Sequence, residues 1–541
     1  MAGDNTVSSI EKNLNRVRSF QYALLIEAIA VGVLTGVVVG CFRWLLGKAE
    51  NIKEMLLELT DKGLSGGFWL AVILFVIAVC VTFLLIAEPE IGGSGIPQVE
   101  GELRGHLDMN WAKVLSAKFA GCALTIGSGL ALGREGPSIQ LGAMIGKGFA
   151  RRTHRLMTEE RLLLTCGAGA GISAAFGAPL AGAIFALEEL HQTFSALVLI
   201  TTLVATAVSD YVAIQIVGVE PVFDIRGFEA LPAGHYWVLV ALGLVLGLLG
   251  FVYNNTIEMM QNAFGRLAKR INGDVMPVAA RMAAIYAIVF AMYYIYPTAL
   301  GSGSDLVGQI GRGDFGIKAL AVLLIVKLVF STGCFGSGAP GGIFLPLLVL
   351  GAISGGLCSR ALTALCGIDE KYIGFFVVIS MAGLFASIVR APATGIILIT
   401  EMTGEFSSFL SLVIVSLIAY TVADLMGSEP IYEQLWNRRM RGQATLKEDR
   451  ERKKTTERKV ILYQDIHMGS YIDGRMIKAL SFPKGSLIVA VLRDGSEFIP
   501  AGDTLLKAGD RLEILCRASE IAEMKTLLKE KCQTFDEVGR L

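Results

Sequence analysis

Charge is what this sequence has least of. Aspartate, glutamate, lysine and arginine supply 18% of its 541 residues, while hydrophobic residues supply 53%. Soluble globular domains carry about a quarter charged residues, so a soluble protein of this size is excluded. Positive and negative residues balance at 48 each; the overall charge singles out no partner, and no nucleic acid is expected. Nine cysteines (Cys41, Cys80, Cys122, Cys166, Cys334, Cys358, Cys366, Cys516 and Cys532) occur without C-x-x-C spacing. They give neither a disulfide framework nor a zinc site. The five histidines (His106, His154, His191, His235 and His467) have no ligand-like spacing either. H-E-x-x-H, a Walker-type loop and a nucleophile elbow are all missing, so no enzyme, metal or cofactor is expected. Residues 1–20 lack the short apolar core and small-residue cleavage site of a secretory signal. They read as a polar cytosolic segment, in which an amphipathic helix can start at Ser8.

Apolar length and glycine are abundant instead. Runs close to the roughly 20 residues that span a bilayer occur at Ala23–Leu46, Phe68–Ala87, Leu197–Val217, His235–Val252 and Ile317–Cys334. The expectation is an all-α polytopic membrane protein whose transport part runs from about Phe20 to Trp436. Many runs are cut by Gly, Pro or a charge before they reach full length. Broken helices at membrane depth are tolerated where they line a cavity or are buried in protein, and transporters use them to bring helix ends to the midplane.

The stretch G-S-G-L-A-L-G-R-E-G-P-S-I-Q-L-G-A-M-I-G (127–146) concentrates these features. Arg134 and Glu135 stand side by side between apolar flanks, and a carboxylate at membrane depth is a functional candidate by default. Glycines let amides approach a small ligand, and Pro137 suits the start of a helix. Free N–H groups and the helix dipole at such a start hold an anion. The bland alternative is a Gly-rich helix break with a snorkelling Arg–Glu pair. Two further breaks share the design: G-G-S-G-I-P (92–97) and G-S-G-A-P-G-G-I-F-L-P (336–346). Three converging helix starts would bind a halide through amides without a full positive charge, and so release it quickly.

A duplication is readable as well. A-P-L-A-G (178–182) leads to Glu188 and A-P-A-T-G (391–395) to Glu401, with nine residues from Pro to Glu in each (188−179, 401−392). Upstream, G-R-E-G-P (133–137) matches G-S-G-A-P (336–340), an offset of 203 (340−137). The expectation is two duplicated halves, inverted as is common in transporters. After Trp436 the composition changes: ten Lys/Arg against four acids fill 438–459. Residues 437–459 therefore read as a basic linker held in the cytoplasm, or as a binder of anionic headgroups. From 460 to 541 a small cytosolic α+β domain is expected. It has strands at 487–493 and 511–516, a hairpin turn at 494–497 and an amphipathic helix at 519–528.

In this order the three breaks resemble the anion-site motifs of the CLC family of chloride channels and proton-coupled chloride transporters, and the likeness runs from about residue 20 to 436. The resemblance implies a CLC-type homodimer in a bacterial inner membrane, with cytoplasmic termini and one anion path per subunit. It implies that Ser94 and Tyr432 offer hydroxyls, and Ile343 and Phe344 backbone amides, to a central anion. Glu135 would be the gating glutamate, competing with the anion when ionised and leaving when protonated, which couples proton to anion movement. Lys118 and Arg134 match basic positions that raise the local potential. Glu189 matches the internal proton-transfer glutamate and Glu188 its neighbour nearer the cytosol. By spacing alone such a pair reads as a solvated helix end; the family match favours a proton route, because exchangers carry an acid here and channels generally do not. The expected function is chloride/proton antiport, with a voltage- or ligand-gated chloride channel or a fluoride/proton exporter as alternatives. Ser94, Tyr432 and the intact G-R-E-G-P favour chloride over fluoride. Residues 460–530 are similar to TrkA-C (RCK-C) domains rather than the paired CBS domains many family members carry. Some of these bind cyclic di-AMP; a passive dimerisation module is the other reading.

Overall fold

The computed structural model describes residues 2–451 except 193, 194, 219–222, 224, 226, 227, 272 and 274, and residues 459–533 except 468, 481–485, 494, 495 and 518–520. The end of the basic linker, half of the 494–497 turn and the first residues of the 519–528 helix thus lie outside the described residues. The chain forms two compact units, residues 1–438 and 439–541.

The first unit is helical. Its first half holds α1 (Ala2–Thr60), α2 (Gly63–Ala87), α3 (Ile96–Leu103), α4 (Trp111–Gly127), α5 (Glu135–Arg152), α6 (Met157–Phe176), α7 (Pro179–Phe185) and α8 (Ala196–Val217). The second holds α9 (Trp237–Lys269), α10 (Met276–Ile295), α11 (Ser304–Gly311), α12 (Ile317–Gly336), α13 (Phe344–Cys366), α14 (Ile373–Val389), α15 (Pro392–Thr403) and α16 (Phe409–Leu425). Helix α17 (Ile431–Glu451) follows and runs on past Trp436, where the composition shifts. Among the described residues nine helices are long and apolar enough to cross a membrane, and the protein is a multi-pass membrane protein. The five apolar runs of the sequence fall in α1, α2, α8, α9 and α12; α10, α13, α14 and α16 supply the other four. Every residue of α14 is buried, whereas α2 turns Phe75 and Phe83 outward, as a helix facing lipid would.

Helices α5 and α6 pack backbone against backbone. A Cβ on Gly142 would lie 2.0 Å from the Gly167 carbonyl oxygen, and one on Gly167 2.1 Å from that of Gly142. Gly146 meets the Leu163 carbonyl and Gly171 that of Ser138 in the same way. Small residues let helix backbones touch where lipid offers no hydrophobic drive to associate.

The second unit is a four-stranded antiparallel sheet of β1 (Lys459–Asp465), β2 (Leu487–Arg493), β3 (Ser496–Phe498) and β4 (Arg511–Arg517), in the order β1-β4-β2-β3. Helix α18 (Ile521–Gln533) packs Met524, Leu528 and Cys532 into one core with Leu512, Ile514 and Cys516 of β4. A buried carboxylate, Asp510, is held by two guanidinium bonds from Arg493 (2.7 and 2.6 Å) and by the Lys507 N–H (2.8 Å). Burial pushes this carboxyl up, but Arg493 and Lys507 outweigh it and hold it below the ordinary aspartate value of 3.8. A carboxyl lowered in the native state adds stability above its unfolded value that disappears as the pH falls through the native one. The melting temperature of this unit, followed in the intact protein, is therefore expected to drop below about pH 4. Arg493→Ala should destabilise the unit by about 2 kcal/mol, less than a fully buried pair because Arg493 is partly exposed. A melting temperature in that variant equal to wild type would remove the pair from the account.

Candidate functional site

The three glycine-rich breaks meet. Gly133 and Gly342 exchange backbone hydrogen bonds, N–H to O in both directions at 2.7 Å. Gly93 donates to the Ala339 carbonyl at 3.3 Å and accepts from Gly341 at 3.0 Å. A Cβ on Gly136 would lie 2.8 Å from the Ser94 oxygen, so the 92–97 break lies against the first turn of α5. Glycine is required there because backbone, not a movable side chain, is the neighbour. The amides at the start of α3, α5 and α13 are thereby gathered in one place.

The duplication holds: α7 and α15 open on the paired prolines Pro179 and Pro392, while the upstream match is in a different register from the one read in sequence. Helices α5 and α13 begin at Glu135 and Phe344, an offset of 209 (344−135), which sets Pro137 against Pro346 and not against Pro340. Helices α3 and α11 begin 208 apart (304−96), each after a glycine in the left-handed region, Gly95 at φ 94° and Gly303 at φ 86°. Lysines repeat as well. Lys118 Nζ donates to the carbonyls of Ile91 (2.8 Å) and Gly93 (2.7 Å), and Lys327 Nζ to those of Ala299 (2.9 Å) and Gly301 (2.7 Å). Both lysines are fully buried and stand 209 apart (327−118). Each braces the break in front of a short helix. Gly/Ala/Pro segments match one another cheaply, which is why the wrong proline paired in sequence; the lysines were the better marker.

Glu135 is wholly enclosed at this junction. Its carboxylate faces the amides of Arg134, Leu345 and its own residue, yet neither oxygen makes a well-formed hydrogen bond. Arg134, whose Nε stands 4.0 Å from Oε1, is the nearest cation. Tyr432 is buried with its hydroxyl unpartnered, and so is Tyr253, a residue without a motif to mark it. Tyr432 lies within electrostatic reach of Glu135, Glu189 and Tyr253. The loop ahead of Tyr432 is pinned by Asn254, which donates to Ser428 Oγ and the Glu429 carbonyl, both at 3.0 Å. Arg390 adds a bond to the Ser428 carbonyl at 2.9 Å. Ser94 is buried and its Oγ accepts from the Ile96 N–H at 3.2 Å. Ile343 caps α13 and Phe344 opens it, its ring packed among Phe176, Phe185 and Phe385. Buried polar groups are normally paired; a carboxylate without a well-formed hydrogen bond, facing the amides of helix starts and within electrostatic reach of the unpartnered Tyr432 hydroxyl, makes a site suited to an anion and a proton.

Glu188 and Glu189 part company. They lie on a π-helical turn, Ala186–His191, of the kind common at functional sites. Glu188 accepts from the Thr394 N–H (2.8 Å), the Thr394 hydroxyl (2.7 Å) and the Ala393 N–H (3.3 Å), and so caps α15. Glu189 is deep in the protein yet keeps accessible surface, with Glu100, Glu188, Glu433 and Arg104 as its charged neighbours.

Residues 72–424 match the family model described as voltage gated chloride channel. The chain belongs to that family. Residues 465–529 match the TrkA-C domain model, so this family member carries a TrkA-C domain in its second unit. The H(+)/Cl(−) exchange transporter ClcA of Salmonella arizonae is 34% identical over 420 residues, covering 76% of this chain and 88% of that protein. ClcA of Salmonella typhimurium strain LT2 matches equally, at 34% with the same coverage. Among solved structures, a slow cyanobacterial Cl−/H+ antiporter is 28% identical with a TM-score of 0.72, covering 78% of this chain and 99% of that one. A CLC-type fluoride/proton antiporter, 24% identical with a TM-score of 0.62 over 76% and 97%, shares the fold.

Proposed function

We propose that this family member exchanges chloride for protons across a bacterial inner membrane. The observation that carries the reading is Glu135, an enclosed carboxylate whose oxygens make no well-formed hydrogen bond although they face backbone amides at the meeting point of three helix starts. Ionised, it occupies the place an anion would take on those amides; protonated, it loses that attraction and leaves. Anion and proton then exclude each other at one set of donors, which is the differential interaction that coupling needs. The hydroxyls of Ser94 and Tyr432 and the amides of Ile343 and Phe344 complete the anion position, and Lys118 and Arg134 keep it electropositive. Glu189 takes the proton from the opposite side. Its partly open position fits that role, whereas Glu188 serves as a helix cap. The relatives named as exchange transporters accord with this reading, as does an acid at 189. Both termini are proposed to be cytoplasmic, from the ten basic residues in 438–459, and the assembly to be a homodimer.

The test is a proton trace. The protein is reconstituted in liposomes, a chloride gradient is imposed and external pH is followed with the membrane potential set. Uphill proton movement that disappears in Glu189→Gln is the expected outcome; chloride flux without proton movement would make the protein a channel and Glu189 a solvated helix end. Tyr432→Ala should weaken chloride binding about tenfold or more, since a hydrogen bond to a charged group contributes about 1.5–3 kcal/mol. Titration calorimetry reads this directly, and an unaltered affinity would sink Tyr432 as a ligand.

A further inference from the structure

Helices α7 and α15 both begin at an Ala-Pro step and neither has a side-chain cap of its own: the residues at the cap positions are Ala178 and Ala391. Their free amides are satisfied from the other half of the molecule. Glu188, at the far end of the α7 segment, accepts from Ala393 and Thr394 at the start of α15. Glu401, near the end of α15, accepts from the Leu180 N–H (3.0 Å) and the Ala181 N–H (2.7 Å) at the start of α7. The tail of each helix meets the head of the other, so the two run antiparallel. Both carboxylates stand nine residues after the opening proline (188−179, 401−392). A carboxylate on helix N-terminal amides gains from the dipole as well as from charge-assisted bonds.

We infer that Glu188 and Glu401 form a crossed clamp between the two halves, and that Glu401 is a positioning residue for proton transfer by Glu189. The inference rests on the exchanger reading. Glu189 shares its π-helical turn with Glu188 and rides on the segment whose first turn Glu401 holds. Successive residues of a helical turn project in different directions, so Glu188 reaches α15 while Glu189 has Glu100, Glu433 and Arg104 as charged neighbours besides Glu188 itself. With Glu401 removed, α7 keeps the Glu188 bonds at its far end and loses its anchor at the near end. The Glu189 carboxylate is then free to shift relative to Glu135, while the amides that meet around Glu135 belong to α3, α5 and α13 and stay as they are. Chloride movement persists and proton movement fails.

The experiment compares full-length wild type, Glu401→Ala and Glu401→Gln in liposomes, recording chloride efflux and proton uptake together. Loss of most proton movement per chloride in Glu401→Ala is expected, with partial recovery in Glu401→Gln, whose amide oxygen accepts one of the two N–H groups. A merely structural contact would lower both fluxes in proportion, and a wild-type proton-to-chloride ratio in both variants overturns the positioning role. Hydrogen exchange over residues 179–191 decides the clamp by itself: Glu401→Ala should speed exchange of the α7 first turn about tenfold or more, the effect of losing bonds to a charged group. Unchanged exchange there overturns the clamp however the protons behave. Should Glu401→Ala not fold, Glu401→Gln carries the test, and wild-type exchange together with a wild-type ratio in that variant is the overturning result. Wild type that moves chloride and no protons refutes the exchanger reading instead, and the exchange data still judge the clamp.

Discussion

Glu135→Ala in liposomes is expected to move chloride and leave external pH unchanged. The carboxylate is enclosed with neither oxygen in a well-formed hydrogen bond, an arrangement that is unfavourable for an ionised group unless fixed dipoles replace water. Here the dipoles are the helix starts proposed above to serve the anion as well. Alanine removes the competitor for those amides and, with it, the proton's carrier. The loss of proton movement should be complete rather than partial, because no other carboxylate among the described residues is enclosed at this junction. Proton uptake at the wild-type ratio would take Glu135 out of the mechanism.

Gly142→Val is expected to yield no folded protein. The added Cβ would sit 2.0 Å from the Gly167 carbonyl oxygen, and the carbonyl of Gly142 presses equally on Gly167. The obstacle is backbone on both sides, so relief requires α5 and α6 to separate along their whole crossing. That would expose the other close contacts, at Gly146 and Gly171, as gaps. The cost is expected to exceed about 4 kcal/mol, the range in which single substitutions unfold marginal proteins. Size-exclusion chromatography in detergent should show aggregate, whereas Gly47→Ala, where nothing lies within 4 Å of the new Cβ, should elute like wild type. A monodisperse Gly142→Val would mean that the helices can part without penalty.

The parts legible in sequence were those in which composition itself carries the constraint. Glycine-rich breaks with a proline favour helix starts, and three such breaks named the elements that meet around Glu135. The apolar runs located five spans. Helix α13 was legible as a helix start but not as a span, because it opens inside a break, and α10, α14 and α16 were not legible because no motif marks them. Partners more than 200 residues apart could not be read at all. Nothing adjacent to Glu188 says that Thr394 will bind it, nor does anything beside Leu180 point to Glu401. The hydroxyl of Tyr253 is equally silent in sequence, for a tyrosine in an apolar run is ordinary core. Lys327 was the overlooked signal. A lysine deep in an apolar run must find acceptors, and its spacing from Lys118 gives the repeat register directly.

That register leaves Glu135 and Phe344 in equivalent places, each the first residue of its helix and joined through the Gly133–Gly342 pair. One ancestral position has therefore taken two chemistries: an acid that can change charge, and a ring locked among three phenylalanines that cannot. With two acids the halves would be interchangeable, and a proton could be accepted from either face by the same chemistry. With one, the molecule is polarised although its scaffold is nearly symmetric. On the exchange reading proposed above, protons arriving from the second face need an address of their own, and Glu189, whose counterpart at the 213-residue offset of the Ala-Pro helices is Met402, belongs to one half alone.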